Sequence, residues 1–215
     1  MRGRDIKRYG YEFADLYLIA TFPSRHYNIE EYPAVKNYLL SFGIKRLEQT
    51  GKEYIVNGEK IKARKKTNNK WFETQDSISY WDDFFKPKIV YPNMTKFLPF
   101  VYDENGFLTN QKCFIITGTA TAFLTAFFNS SLFKYCFRES FPELLGDTRE
   151  LSKIFFDKIS VIQVDEKAEI KFKTAVLDIQ SEYTESKARE IDSMIFDLYN
   201  LTTEERDAIG YITIK

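Results

Sequence analysis

Apolar residues recur between turn residues through much of the chain, a pattern that predicts short strands. Residues 54–56 and 59–63 flank Asn57-Gly58 and have the form of a hairpin, because Asn-Gly supplies the two positive-φ residues of a type I′ turn. Similar runs predict strands at residues 16–22, 88–91, 98–102, 112–117 and 158–164, with a turn at residues 103–106.

Other segments carry apolar residues at the spacing of a helix. In the first, Pro33 suits a first turn and Gly43 can end the helix. Thr202 and Glu205 form a capping box that predicts a short final helix. The remaining predicted helices cover residues 44–49, 119–128, 132–137, 167–183 and 185–199.

The last two long helices each have one apolar stripe and are expected to pack as an antiparallel pair. The stripes consist of Ala175, Leu177 and Ile179 in one helix and of Ile191, Ile195 and Leu198 in the other.

The order of these elements predicts an α+β (mixed α/β) fold. A twisted, mostly antiparallel sheet with flanking helices is expected to form a domain over residues 1–164, and residues 165–215 are expected to form a C-terminal helical annex. With 44% apolar and 17% aromatic residues, the chain can bury a core of this size.

The chain shows no targeting segment. No apolar stretch approaches the roughly 20 residues that span a bilayer, and the charged residues at the start do not form a signal peptide. We therefore expect a cytoplasmic location and no membrane partner. Met1 followed by Arg-Gly-Arg-Asp is typical of an excised fragment.

Three residues bear on metal binding and redox chemistry. Cys113, Cys136 and His26 are too few for a four-ligand zinc site, and the two cysteines are expected to be buried free thiols.

Charge is distributed unevenly although the net charge is zero. Residues 1–112 contain 19 Lys and Arg against 14 Asp and Glu, and residues 113–215 contain 12 against 17. A phosphate-facing surface is therefore expected in the first half. A basic cluster at the chain start, formed by Arg2, Arg4, Lys7 and Arg8, is expected to pair across a domain boundary or to clamp a nucleic-acid backbone.

The densest basic run covers residues 60–70, where six of eleven residues are basic and none is acidic. Such a run beside a hairpin fits contact with phosphates, while neighbouring amides can pair with adenine edges and an aromatic ring can stack or wedge. The alternatives are a solvated loop and, for the ring, a core anchor. The predicted DNA-contacting residues are Lys60, Lys62, Arg64, Lys65, Lys66, Asn68, Asn69, Lys70 and Trp71.

Catalytic motifs are missing from the sequence. Glu169-Ile170-Lys171, with Asp157 or Asp165 upstream, fits the carboxylate–lysine arrangement of a magnesium-dependent nuclease, but the spacing is common by chance and the segment is expected to be a charged helix face. The sequence contains no Gly-rich loop for phosphate or S-adenosylmethionine and no Asn-Pro-Pro-Tyr or Asp-Pro-Pro-Tyr run. The chain alone is therefore expected to be neither an enzyme nor a cofactor-binding protein.

Several segments follow one another in an order found in one protein family. They are residues 2–9, Tyr32-Pro33 with Leu39-Leu40, residues 70–73, residues 85–92, residues 107–118, residues 124–132 with Asn129-Ser130, and residues 191–199 with Leu201-Thr202 and Glu205. This series resembles the TaqI-like C-terminal specificity domain, which lies downstream of the catalytic domain in N6-adenine DNA methyltransferases and in fused type IIG restriction-modification enzymes.

The resemblance implies a target recognition domain, related to the halves of type I specificity subunits, that binds double-stranded DNA in a cleft facing a methyltransferase domain upstream in the same polypeptide. Such a module directs the partner domain to an adenine, which is flipped and methylated at N6. S-adenosylmethionine, and magnesium if the parent enzyme also cleaves DNA, would be held outside this chain.

Base-contacting positions in the family vary with the target, so none is assigned by motif. The alternative functions are a protein-interaction scaffold of a restriction-modification complex and a stand-alone nuclease that uses Glu169 and Lys171.

Overall fold

The computed structural model describes residues 1–96 and 99–212, and only the backbone of Asp147. Its paired strands are all antiparallel within these ranges. The strands are β1 (Ile6–Lys7), β2 (Gly10–Tyr11), β3 (Glu53–Val56), β4 (Glu59–Lys62), β5 (Lys88–Pro92), β6 (Met94–Thr95), β7 (Val101–Asp103), β8 (Cys113–Thr117) and β9 (Arg149–Glu150).

Apart from the short helix at Lys153–Phe156, which was not predicted, the helices lie in the segments predicted from the sequence. They are α1 (Pro33–Leu40), α2 (Ile44–Leu47), α3 (Thr121–Asn129), α4 (Ser131–Phe137), α5 (Lys153–Phe156), α6 (Glu166–Ser181), α7 (Glu185–Leu198) and α8 (Thr203–Ile209). The fold class is therefore α+β, as predicted.

The chain forms two compact units. One unit, which we call the core unit, comprises Met1–Leu16 and Trp81–Lys215, and the other, which we call the inserted unit, comprises Tyr17–Tyr80. The expected division between residues 1–164 and 165–215 stays a prediction.

A three-stranded sheet in the order β7-β5-β8 lies at the centre of the core unit. All five residues of β5 are buried. On one face of the sheet, Ile89 and Tyr91 belong to the main hydrophobic core, and on the other face Val90 packs with Val101 and Cys113. Successive apolar residues suit a strand covered on both faces, which explains the run at residues 89–91, while the buried Lys88 at the start of β5 forms an ion pair with Asp103 of β7.

The main core is rich in phenylalanine. α3 and α4 contribute four of its buried phenylalanines, and neighbouring ring centroids lie 5.1–6.3 Å apart, as for Phe128 and Phe133 at 5.1 Å. Such pairs contribute beyond the apolar area that they bury. The most deeply buried phenylalanine rings are Phe100, Phe123, Phe127, Phe133, Phe141 and Phe196.

The predicted helical pair is confirmed and belongs to this core. Ile179, Ile191 and Ile195 are at most 1% exposed. The prediction that Leu177 belongs to the stripe is wrong, because Leu177 is 37% exposed. The buried face of α6 contains Phe172, Val176 and Ile179 instead.

Two predicted strands are wrong. Residues 16–22 and 158–164 both lie within the described ranges, and neither segment is a strand. Leu16 and Tyr17 are largely exposed where the chain passes into the inserted unit, and residues 158–164 lead into α6. An apolar run without a neighbouring strand to pair with remains irregular. The prediction for Leu98 lies outside the described residues.

The basic cluster at the chain start pairs within the chain. Arg2 binds Asp5, and the buried Arg8 donates from Nε to the carbonyl of Asn129 at 3.0 Å and lies 3.7 Å from Asp192. Asp192 also accepts hydrogen bonds from the backbone and hydroxyl of Ser131. Burial raises the pKa of the Asp192 carboxyl. This network ties the chain start to α3, α4 and α7.

The cysteines differ from each other. Cys113 is buried, and desolvation raises the pKa of its thiol to about 11. Cys136 is exposed, contrary to prediction, because it lies on the outer side of α4.

The inserted unit contains α1, α2 and the β3–β4 hairpin, with Phe22, Ile29 and Phe72 among its buried residues. Positive φ angles of 51° at Asn57 and 84° at Gly58 confirm the predicted turn. Across both units, no helix in the described residues is long and apolar enough to span a membrane.

Candidate DNA interface

The basic run begins on β4 and continues into the segment that we call the basic loop, residues 63–75. The structure divides the nine predicted DNA-contacting residues by exposure. Arg64, Asn69 and Trp71 are half-buried. The other six are exposed: Lys60, Lys62, Lys65, Lys66, Asn68 and Lys70.

Arg64 is directed into the loop. Its Nε donates to the carbonyl of Leu47 at 2.8 Å, Nη1 donates to the carbonyl of Glu73 at 3.0 Å, and Nη2 donates to the carbonyl of Trp71. Partial burial lowers the pKa of the guanidinium, although arginine stays charged in proteins. One side chain therefore joins the end of α2 to the far side of the loop.

The side chains of Gln49 and Glu73 are both buried and form hydrogen bonds with the basic loop. Gln49 Nε2 donates to the carbonyls of Lys70 and Glu73, at 2.9 and 2.8 Å, and its Oε1 accepts from the Thr67 hydroxyl at 2.6 Å. Glu73 Oε2 accepts from the Lys70 amide at 2.7 Å. Buried polar groups paired in this way fix the path of the backbone.

The two adjacent asparagines have different environments. Asn69 Nδ2 donates to the carbonyls of Thr74 and Gln75, at 2.9 and 3.1 Å. Asn68 is exposed, and among the described residues no hydrogen bond involves its carboxamide. The same residue type is thus part of the loop structure at one position and open to solvent at the next.

Trp71 packs edge-on against Phe72, with ring centroids 5.6 Å apart, and stays half-buried. Phe72 is 6% exposed and provides the core contact of the segment. A role for Trp71 in stacking or wedging against DNA remains a prediction.

Ile55 is a surface feature that the sequence reasoning missed. It is 81% exposed on the hairpin and pairs in register with Lys60, so its side chain shares a face with Lys60 and Lys62. Strand alternation could have identified it, because Tyr54 and Val56, on the other face, are half-buried. Glu53 lies on the same face, and an exposed apolar side chain beside a lysine suits contact with a thymine methyl group in a major groove.

Charge distinguishes the inserted unit from the rest of the chain. Residues 17–80 contain 11 Lys and Arg against 7 Asp and Glu, a net charge of +4, so the remainder carries −4. Lys60 forms an ion pair with Glu53 at 2.6 Å. Lys62, Lys65 and Lys66 take part in no ion pair within residues 1–96 and 99–212, which leaves them available to phosphates.

Glu169, proposed above for a nuclease site, has a structural contact. Its Oε1 accepts from the amide of Ala122 and its Oε2 from the amide of Phe123, both at 2.9 Å. α3 begins after Ala120, which has a left-handed conformation and provides no side-chain cap. Glu169 therefore caps α3 from a distant helix. In the described residues, no group of three or more His, Cys, Asp or Glu is arranged to hold a metal ion.

Fold and surface together define an α+β module with an exposed basic loop. A model of the TaqI-like C-terminal specificity domain family matches residues 1–161 of the 215. The chain belongs to this family, as the sequence resemblance indicated. The family acts in DNA recognition in restriction-modification enzymes, and a specificity domain is not itself catalytic.

Proposed function

We propose that the chain reads a specific sequence of double-stranded DNA and directs a linked N6-adenine methyltransferase domain to it. The family match over residues 1–161 carries this proposal. The proposed partner is a methyltransferase domain of the same polypeptide, in a cytoplasmic restriction-modification enzyme. S-adenosylmethionine would be bound by that domain, as would magnesium if the enzyme also cleaves DNA.

Lysines of the hairpin and basic loop would supply the affinity. Phosphate contacts fix the position of a protein on the duplex, whereas contacts with base edges select the sequence. Lys62, Lys65 and Lys66 are exposed and unpaired in the described ranges, which supports the first role. Ile55 and a side-chain amide of the basic loop that is open to solvent are the proposed source of the second.

A binding selection tests the proposal. The purified chain is incubated with a pool of random duplexes, and the bound fraction is sequenced. One motif that contains an adenine should be enriched, and the chain alone should neither methylate nor cut the bound DNA. Methylation sequencing of the source genome should show N6-methyladenine in the same motif, and deletion of the parent gene should remove it. Enrichment of no motif, or of a motif that is unmethylated in the genome, would contradict the proposal.

A further inference from the structure

We infer that Asn68 is the base-reading residue of the basic loop, and that Arg64 and Asn69 are positioning residues that do not contact DNA. The inference rests on the proposed function and divides the basic segment into two roles. The division follows from which side-chain atoms are already hydrogen-bonded within the inserted unit.

The backbone on both sides of Asn68 is fixed. The Thr67 amide donates to the carbonyl of Gln49 at 3.1 Å, and the Asn69 amide donates to the Thr67 hydroxyl at 3.1 Å. The Asn69 side chain joins the loop to Thr74 and Gln75. Asn68 therefore projects from a backbone that is anchored before and after it, so binding would require little ordering of the loop.

The carboxamide of Asn68 has the chemistry of an adenine reader. An asparagine can donate to N7 and accept from the N6 amino group of adenine in the major groove, and this bidentate pair discriminates one base from the others. Lys65, Lys66 and Lys70 are exposed on either side of it in the chain. Their contacts with phosphates would set the register of the loop on the duplex.

Arg64 differs from Asn68 because its side chain is already hydrogen-bonded within the inserted unit. All three of its guanidinium nitrogens donate to backbone carbonyls. A contact with phosphate or guanine would require these bonds to break and would deprive the carbonyls of Leu47, Trp71 and Glu73 of this donor. Its effect on DNA binding therefore acts through the shape of the loop.

The decisive experiment repeats the random-duplex selection with Asn68→Ala and with its neighbour Asn69→Ala as the matched control. Asn68→Ala should melt at the wild-type temperature and lose preference at one A·T position, by about 5- to 150-fold for a lost bidentate contact of about 1–3 kcal/mol. Asn69→Ala should melt at a lower temperature and bind all duplexes more weakly, with the motif unchanged.

Arg64→Lys provides a second positioning variant, because it retains the charge but cannot reach three carbonyls. It should also lower the melting temperature and leave the motif unchanged. The inference is overturned if Asn68→Ala keeps every base preference, or if either positioning variant alters the motif. If the wild-type chain enriches no motif, the proposed function fails as well; a wild-type motif that survives in Asn68→Ala contradicts only the assignment of Asn68.

Discussion

Replacing Lys65 and Lys66 together by alanine should weaken binding to every duplex and reduce its salt dependence. Both side chains are exposed and form no ion pair in the part of the chain that the structure describes. Each phosphate contact releases counterions and contributes about 0.9 to the slope of log K against log salt concentration. Losing two contacts should therefore reduce the magnitude of the slope by about 1.8.

The effect is large enough to measure. If the exposed lysines 62, 65, 66 and 70 each contact one phosphate, raising the salt concentration from about 50 to 200 mM should weaken binding of the wild type by roughly 150-fold. The double variant should lose only about 12-fold over the same range. Fluorescence anisotropy titrations of a labelled target duplex at several salt concentrations give both slopes.

A charge-matched control separates local contact from overall electrostatics. Lys167 and Lys171 are exposed on α6, outside the basic segment, and their double alanine variant has the same net charge as the double variant of Lys65 and Lys66. This control should keep the wild-type slope. An unchanged slope in Lys65→Ala/Lys66→Ala, or an equal reduction in the control, would refute the assignment of phosphate contacts to the basic loop.

Three further predictions concern stability. Glu169→Gln should lower the free energy of unfolding in urea by about 1–3 kcal/mol, since α3 loses part of its charged cap; an unchanged midpoint would contradict the capping role. Ile179→Ala should cost about 2–5 kcal/mol in the same assay and Leu177→Ala less than about 1 kcal/mol, because only the first is fully buried; equal costs would argue against the assigned helix face. Lys173 Nζ lies 2.6 Å from the Glu104 carboxylate and lowers the pKa of that carboxyl. The ion pair therefore stabilises the fold fully above the ordinary glutamate pKa of about 4.3, and this stabilisation is lost as the pH falls through the lowered pKa. The melting temperature of Glu104→Gln should therefore fall below that of the wild type near pH 7, and the two should converge as the pH falls through the lowered pKa; a difference that grows on acidification would contradict this.

Local signals in the sequence predicted much of the fold. Asn57-Gly58 identified the hairpin, Thr202 and Glu205 identified the final helix, and the capping box is present in the structure. Each of these depends on residues within a few positions of one another, so backbone and side-chain chemistry decide the outcome without help from distant parts of the chain.

Features that depend on distant partners could not be predicted. The cap of α3 comes from Glu169, 46 and 47 residues away from the amides that it accepts, and nothing in the local sequence of either segment indicates the pairing. Residues 158–164 have a strand-like composition, yet whether such a run becomes a strand depends on a neighbouring strand edge.

The roles of individual residues at the candidate DNA interface could not be predicted either, because they also depend on distant residues. Charge density was enough to indicate residues 60–70, but it could not distinguish Arg64 from Lys65 or Asn68 from Asn69. The difference arises from carbonyl groups of residues 47, 71 and 73–75, whose positions are set by tertiary structure.

The inserted unit leaves the core unit after Leu16 and the chain returns at Trp81. The residues of the two hydrophobic clusters described above all lie outside this segment. A related segment exchanged at these two junctions would therefore change the basic loop and the hairpin while keeping every residue of the two clusters. Residues 17–80 can therefore be replaced as one continuous segment, and if the basic loop reads DNA as proposed, recombination at two points would change the target preference while keeping the amino acids of both clusters.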